Sequence, residues 1–205
     1  MYKEIITSKK GNIFLITLNR PEKLNAYTRV MQEELIKVFD YTDENDDIKA
    51  VVITGNGKAF CAGADLDDGA NTFNYGKEGN KLSNEDHRDG GGMVALRIYE
   101  SKKPIIGAIN GDAVGVGVTM TLPMDIRIAS KNARFGFVFS RRGAVPEACS
   151  SWFLPRIVGI SKALDWCFSG KVFPAQEALN YGLVSEVIEE DNLINRALEI
   201  GNTFI

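Results

Sequence analysis

Two short glycine-bearing turns hold the residues of this chain best suited to chemistry: KAFCAGADL (Lys58–Leu66) and NGDAVGVGVT (Asn110–Thr119). Each follows an apolar, strand-like run, and the second leads into a helix-like one. One backbone N–H from each turn can meet the other at a single point and bind an oxyanion, as an enolate or a tetrahedral intermediate requires. Taken singly, such turns are also ordinary tight connections that need glycine for its backbone freedom. A third segment, VPEACSS (Val145–Ser151), adds a carboxylate. Its Glu147 stands at an expected helix start, where it fits either proton transfer or service to the helix macrodipole.

Other polar residues offer less. His87, the only histidine, lies in a loop rich in Asn, Asp and Gly beside Asp86 and Asp89, as a lid residue or a solvated one. Asp112 adjoins the second turn, where it orients a group or steadies the turn. Arg141 and Arg142 fit phosphates or a plain surface pair. Cys61, next to Phe60, reads as a small apolar filler, since no basic partner is evident. No His, Cys and acid spacing resembles a metal site.

The elements that must position these residues alternate between strand and helix, which points to α/β architecture. Two β-like runs, Lys3–Thr7 and Ile13–Leu18, flank a turn at residues 9–12. Thr28 is a plausible N-cap for a helix with Met31, Leu35, Val38 and Phe39 on one face, ended by the acidic run Asp43–Asp47. Ala50–Thr54 reads as a fully buried strand. From Asp67 to Gly92 apolar anchors are sparse, the pattern of a long lid-like loop. A helix over Met93–Glu100, a strand over Ile105–Ile109 and a short helix from Val116 follow. Next come a strand over Ile126–Ala129 and the segment Arg134–Phe139. Pro146 is expected to open a helix. Ser161 is expected to cap another with Leu164, Cys167 and Phe168 facing inward, stopped by Gly170. Helices over Pro174–Asn180 and Asn192–Ile205 complete the chain; the last has no stop signal, as in a truncated chain or one relying on a partner.

The 205 residues, 44% hydrophobic, suit one substantial globular domain. With 24 basic against 27 acidic residues, a net charge of −3 is a poor match for a nucleic-acid footprint. No apolar run has the length to span a bilayer, and the N-terminus lacks the order of a secretory signal. Three cysteines, odd in number and without a C-x-x-C, indicate thiols in a reducing compartment, most simply the cytoplasm, with an organelle matrix after removal of a transit peptide fitting equally.

Four segments in register resemble the crotonase (enoyl-CoA hydratase/isomerase) superfamily: LNRPEKLNA (Leu18–Ala26), the two glycine turns, and RRGAVPEACSSWFLPRIVG (Arg141–Gly159). The resemblance implies a crotonase-like spiral of β-β-α units, acyl-CoA thioester substrates without a separate cofactor, and assembly as a homotrimer or dimer of trimers. It implies an acyl-CoA-binding catalytic domain over residues 1–190, with 191–205 beginning an incomplete C-terminal helical region. Carried over by position, the oxyanion donors are the N–H groups of Ala64 and Val116. The family more often has glycine at the second, but only its backbone is used. Substrate and CoA contacts fall on Lys23, Leu24, Ala26, Ala62, Ala64, Asp65, Leu66, Val116, Thr119 and Phe139. For Lys23, a phosphate partner and a solvated lysine both fit.

The two glutamates by which hydratases of the family activate water correspond to Thr119 and Phe139, so both carboxylates are missing. Glu147 falls where peroxisomal-type Δ3,Δ2-enoyl-CoA isomerases carry their catalytic base. Three functions follow: a double-bond isomerase using Glu147, a hydratase of atypical polar layout, or a non-catalytic acyl-CoA-binding subunit. Apolar neighbours such as Phe137, Phe139 and Trp152 are expected to raise the Glu147 pKa, and a helix first turn to lower it.

Overall fold

The computed structural model describes residues 2–67, 69 and 89–205. The lid expected between Asp67 and Gly92, with Asp86 and His87, lies outside the described residues except at its edges.

The apolar runs become neighbouring strands. A hairpin of β1 (Ile5–Lys10) and β2 (Ile13–Leu18) opens the chain. Beside β2 run β3 (Ala50–Gly55), β5 (Ile105–Ile109), β7 (Ile126–Ser130) and β10 (Glu186–Ile188), all in parallel, making a six-stranded sheet. A smaller sheet holds β4 (Ala59–Cys61), β6 (Asp112–Val114) and β8 (Arg134–Gly136) in parallel, with β9 (Val172–Pro174) antiparallel at its edge. The chain thus gives one strand to each sheet and then a helix. β3 and β4 lead to α2 (Gly90–Tyr99), β5 and β6 to α3 (Val116–Thr119), and β7 and β8 to α4 (Ser150–Val158). These are the β-β-α units of the expected spiral.

Period-2 alternation explains why β3 reads as unbroken apolar sequence: its two faces serve two cores. Val51 and Ile53 join the larger core with Phe39, Phe60 and Val118. Ala50 and Val52 join a smaller one, where Leu193, Ala197 and Ile200 of α7 (Leu193–Asn202) cover the outer face of the large sheet. Helix α1 (Arg29–Glu44) starts where Thr28 Oγ1 accepts the Met31 N–H at 3.0 Å, and Met31, Leu35, Val38 and Phe39 are buried as expected. It runs into the acidic stretch: Asp43, still helical, pairs with Arg97 of α2 at 2.7 Å.

Several expected helices differ in start, buried face or end. The helix at Pro146 starts instead at Ser150, because Ala148 and Cys149 adopt left-handed φ values of 51° and 58° and break any helical path from Glu147. Helix α5 (Ile160–Ser169) follows Gly159 and turns Ala163 and Trp166 inward, leaving Leu164 and Phe168 exposed at 41% and 72%. Both faces satisfy helical spacing, and stacking of Trp166 on Phe137 and Phe173 selects the one buried. The last helix ends at Asn202, so Phe204 lies beyond it and exposed. Helix α6 (Ala175–Asn180) begins one residue after Pro174.

Fully buried Asn25 locks the first segment. Its Oδ1 accepts the Arg20 N–H at 2.8 Å, and its Nδ2 donates to Asn56 and Ala59 carbonyls at 2.9 and 2.8 Å. Its φ of 54° also suits Asn better than most residues. Asn25→Ala is expected to cost about 2–4 kcal/mol in urea unfolding, since buried backbone groups lose their partners. A loss within about 0.5 kcal/mol, the range of neutral surface changes, would show these bonds to be dispensable.

Candidate active site

The first glycine turn is stitched to the segment around Leu24. The Ala62 N–H donates to the Leu24 carbonyl at 3.1 Å, Tyr27 N–H to Gly63 at 2.8 Å, and Asp65 N–H to Tyr27 at 2.9 Å. Arg20, which sequence reading missed, clamps the pair. It reaches the Ala26 carbonyl at 2.5 Å and the Asp65 carboxylate at 2.8 Å. The Asp65 carboxyl is held below its ordinary range, first by the Asp67 N–H and then by Arg20. Lys23 bonds Asp67 at 2.8 Å on the surface, and Leu24 and Leu66 are exposed.

Parallel pairing of β4 with β6 makes both glycine turns leave the small sheet at one end. Gly117 exists for this contact: a Cβ there would lie 2.0 Å from the Cys61 carbonyl oxygen. A Cβ on Gly115 would lie 3.8 Å from the Gly63 Cα, so the residues just before Ala64 and Val116 approach each other. Among the described residues neither the Ala64 nor the Val116 N–H has a backbone acceptor. Val116 is the first residue of α3, where an N–H has no partner within the helix. Two amide donors are thus left at adjoining turns, an arrangement able to hold a developing oxyanion.

Glu147 comes to the same place. Its Oε1 accepts the Thr119 hydroxyl at 2.8 Å, from the far end of α3. A Cβ built on Gly91 of α2 would lie 2.7 Å from Glu147 Oε2, 3.0 Å from Val116 Cγ2 and 3.1 Å from Ala148 Cβ. The carboxyl and the Val116 side chain therefore gather at the bare backbone of Gly91. Burial raises the Glu147 carboxyl to about 7; the Asp89 charge adds to the rise, and the Thr119 hydroxyl opposes it. The expected lowering by a helix first turn has no basis, because α4 begins at Ser150. Among the aromatic neighbours expected, Phe137 stacks on Trp166 and Phe173, and half-exposed Trp152 packs on Tyr99 and Phe153. Phe139 is buried beside Phe137.

The structure therefore brings together Val116, Thr119 and Glu147, and separately stitches Leu24, Ala26, Ala62, Ala64 and Asp65 into one double turn that abuts them. Missed from sequence were Arg20, Asn25 and Gly91, and Asp89 was named only as a neighbour of His87. A signal for Gly91 existed: Gly90, Gly91 and Gly92 open α2, a costly run in a helix unless the backbone must come close to something. The left-handed pair Ala148 and Cys149 is strain of the kind that persists where the surroundings over-determine it, directly after the carboxylate. Asp112 instead pairs with Arg134 at 2.6 Å. Cys61 is buried, and desolvation pushes its thiol up to about 12, an inert state. Among the described residues no group of three or more His, Cys, Asp or Glu could hold a metal ion, and no helix is long and apolar enough to cross a membrane.

This two-sheet spiral, with paired amide turns beside a part-buried carboxylate, is the frame the four segments pointed to. The chain belongs to the enoyl-CoA hydratase/isomerase family of the crotonase superfamily, whose sequence model matches residues 8–205. An enoyl-CoA hydratase of Alternaria alternata is 43% identical over 189 residues, covering 92% of this chain and 62% of that relative. A 1,2-epoxyphenylacetyl-CoA isomerase of Escherichia coli is 32% identical over 200 residues, covering 98% of this chain and 75% of its own length. The crystal structure of an enoyl-CoA hydratase/isomerase from Pseudoalteromonas atlantica matches with a TM-score of 0.86 and 37% identity, covering 98% of this chain and 76% of that one. The chain thus spans a little under two thirds of the Alternaria relative.

Proposed function

We propose that this protein isomerises the double bond of an enoyl-CoA with Glu147 as its single acid/base. The Glu147 carboxylate takes the α proton of a 3-enoyl-CoA, and the C–H electron pair moves into the thioester carbonyl to form a dienolate. The Ala64 and Val116 N–H groups hold the resulting oxyanion. The same carboxyl then returns its proton to the γ carbon, and the electrons settle as an α,β double bond. Removing one such donor typically costs about 2.7–4 kcal/mol of transition-state stabilisation. The observation that carries the proposal is the bond between Thr119 and Glu147 at 2.8 Å: one hydratase position holds a hydroxyl, and that hydroxyl is bound to the Glu147 carboxylate.

The CoA would run along the double turn of Leu24, Ala26, Ala62 and Leu66. A phosphate would have to share or displace the Asp67 partner of Lys23. Assembly as a homotrimer or dimer of trimers and work in the cytoplasm belong to the same proposal, the latter supported by three unbridged cysteines. A second reading, hydration of a 2-enoyl-CoA with Glu147 activating water, is favoured by the hydratase names of relatives such as that from Alternaria. Assaying 3-enoyl-CoA and 2-enoyl-CoA separately, with product mass, distinguishes them. Unchanged mass from the 3-enoyl substrate is expected; dominant addition of water to the 2-enoyl substrate would overturn isomerisation.

The pH profile has a definite sign. A base must be ionised to take a proton, and the Glu147 carboxyl is raised to about 7. kcat/KM for the 3-enoyl-CoA is therefore expected to fall tenfold per pH unit well below about 7 and to level off above it. A profile flat from pH 5 to 8 would assign the proton transfer to another group.

A further inference from the structure

We infer that Thr119 is a positioning residue that ties down one oxygen of the Glu147 carboxyl, so that the other, lodged against the bare backbone of Gly91, alone carries the travelling proton. The inference rests on the isomerase reading and adds to it the atom that does the work.

The two carboxyl oxygens stand in different settings. Oε1 accepts the hydroxyl of fully buried Thr119 at 2.8 Å. A hydroxyl that donates there favours the ionised carboxylate and makes that oxygen the poorer site for the proton. Oε2 has the opposite surroundings: a Cβ on Gly91 would sit 2.7 Å from it and 3.0 Å from Val116 Cγ2. Oε2 therefore lies on the flank of Val116, the residue whose N–H faces the oxyanion. Thr119 stands three residues after Val116 on α3, hence on the same helix face, one turn along. One short helix thus sets both the amide donor and the orientation of the base. A carboxyl that hands one proton between two carbons gains from having one free oxygen, because rotation about its terminal bond would otherwise spread the proton over two positions.

Among the described residues, the groups that face this carboxyl are few. Asp89, the N-cap of α2, contributes a negative charge that resists its ionisation. Cys61 of β4 interacts with it but stays a neutral thiol up to about 12. Thr119 is the opposing influence on α3. Gly91 and Val116 add no charge.

The test pairs Thr119→Val, which keeps shape and removes the hydroxyl, with Thr119→Ser, which restores it. Two readouts are needed: kinetics on a 3-enoyl-CoA and direct carboxyl titration of Glu147 by carbon-13 NMR, assigned by its loss in Glu147→Gln. In Thr119→Val the titration midpoint is expected to rise by about one pH unit. kcat is expected to fall about ten- to hundredfold with KM unchanged, the size of a lost hydrogen bond to a charged group. Thr119→Ser should return both to near the parent values. Gly91→Ala should lower kcat with the midpoint displaced, since its methyl group would occupy the space of Oε2. A midpoint and kcat unmoved in Thr119→Val would overturn the positioning role even if the parent enzyme isomerises through Glu147. So would a loss in Thr119→Val that Thr119→Ser fails to rescue. A midpoint that moves as expected in a protein without isomerase activity would uphold the tether and remove the isomerase reading instead.

Discussion

Glu147→Gln is expected to lower turnover of a 3-enoyl-CoA by at least about 10²–10⁴-fold, the contribution of a positioned acid/base group. Acyl-CoA binding should persist, because the double turn and the two amide donors do not depend on this carboxyl. The same substitution carries an opposite expectation for stability. The Glu147 carboxyl titrates near 4.5 when unperturbed and near 7 in the folded protein. Between these values the folded state holds a proton that the unfolded state releases. The stabilising contribution of that proton is full below about 4.5 and is lost as pH rises through about 7. Glu147→Gln is therefore expected to be more stable than the parent to urea above pH 7, by no more than about 3 kcal/mol, and to match it near pH 4.5. Equal turnover would remove Glu147 from the reaction. A variant less stable than the parent at pH 8 would mean that the part-buried carboxylate is better satisfied than its bond to Thr119 indicates.

The second large effect concerns a backbone group. Val116 occupies the first position of α3, where proline fits helical geometry and its missing N–H costs no intrahelical bond. The preceding Gly115, at φ 54° and ψ −127°, is outside the α region that proline disfavours in its neighbour. Val116→Pro thus removes one amide donor with the helix start retained. The expected result is a fall in kcat of about 10²–10³-fold for any acyl-CoA reaction passing through an enolate. Circular dichroism should stay that of the parent. A fall below threefold with an intact fold would show that this N–H does not hold the oxyanion.

Much of the frame was legible in the chain because its signals are local. Ala50–Ile53 is apolar at every position since both faces of β3 are covered, and Thr28 sits where a side chain must cap α1. The two glycine turns were legible for the same reason: close backbone approach demands glycine, as Gly117 against Cys61 shows. Three-residue strands such as β4 and β6 carry too little pattern to announce themselves, yet their parallel pairing is what aligns the turns. The surroundings of Glu147 were hidden for another reason. Gly91 and Thr119 lie 56 and 28 residues from it, and nothing local links them. Ala148 and Cys149 adopt conformations usually left to glycine, so the break before α4 left no mark and Pro146 drew the helix start too early. In α5 the pattern was degenerate: Ala163 with Trp166 and Leu164 with Phe168 both fit a helix face, and only the aromatic stack beneath decides between them.

The proposed chemistry has one carboxyl moving one proton between two carbons of the same substrate. A single-turnover experiment with a 3-enoyl-CoA deuterated at the α carbon, run in ordinary water, reads this directly. Deuterium recovered at the γ carbon of a 2-enoyl-CoA product, and no such product with Glu147→Gln, is the predicted result. A γ carbon carrying only solvent hydrogen, or a product heavier by one water, would contradict it.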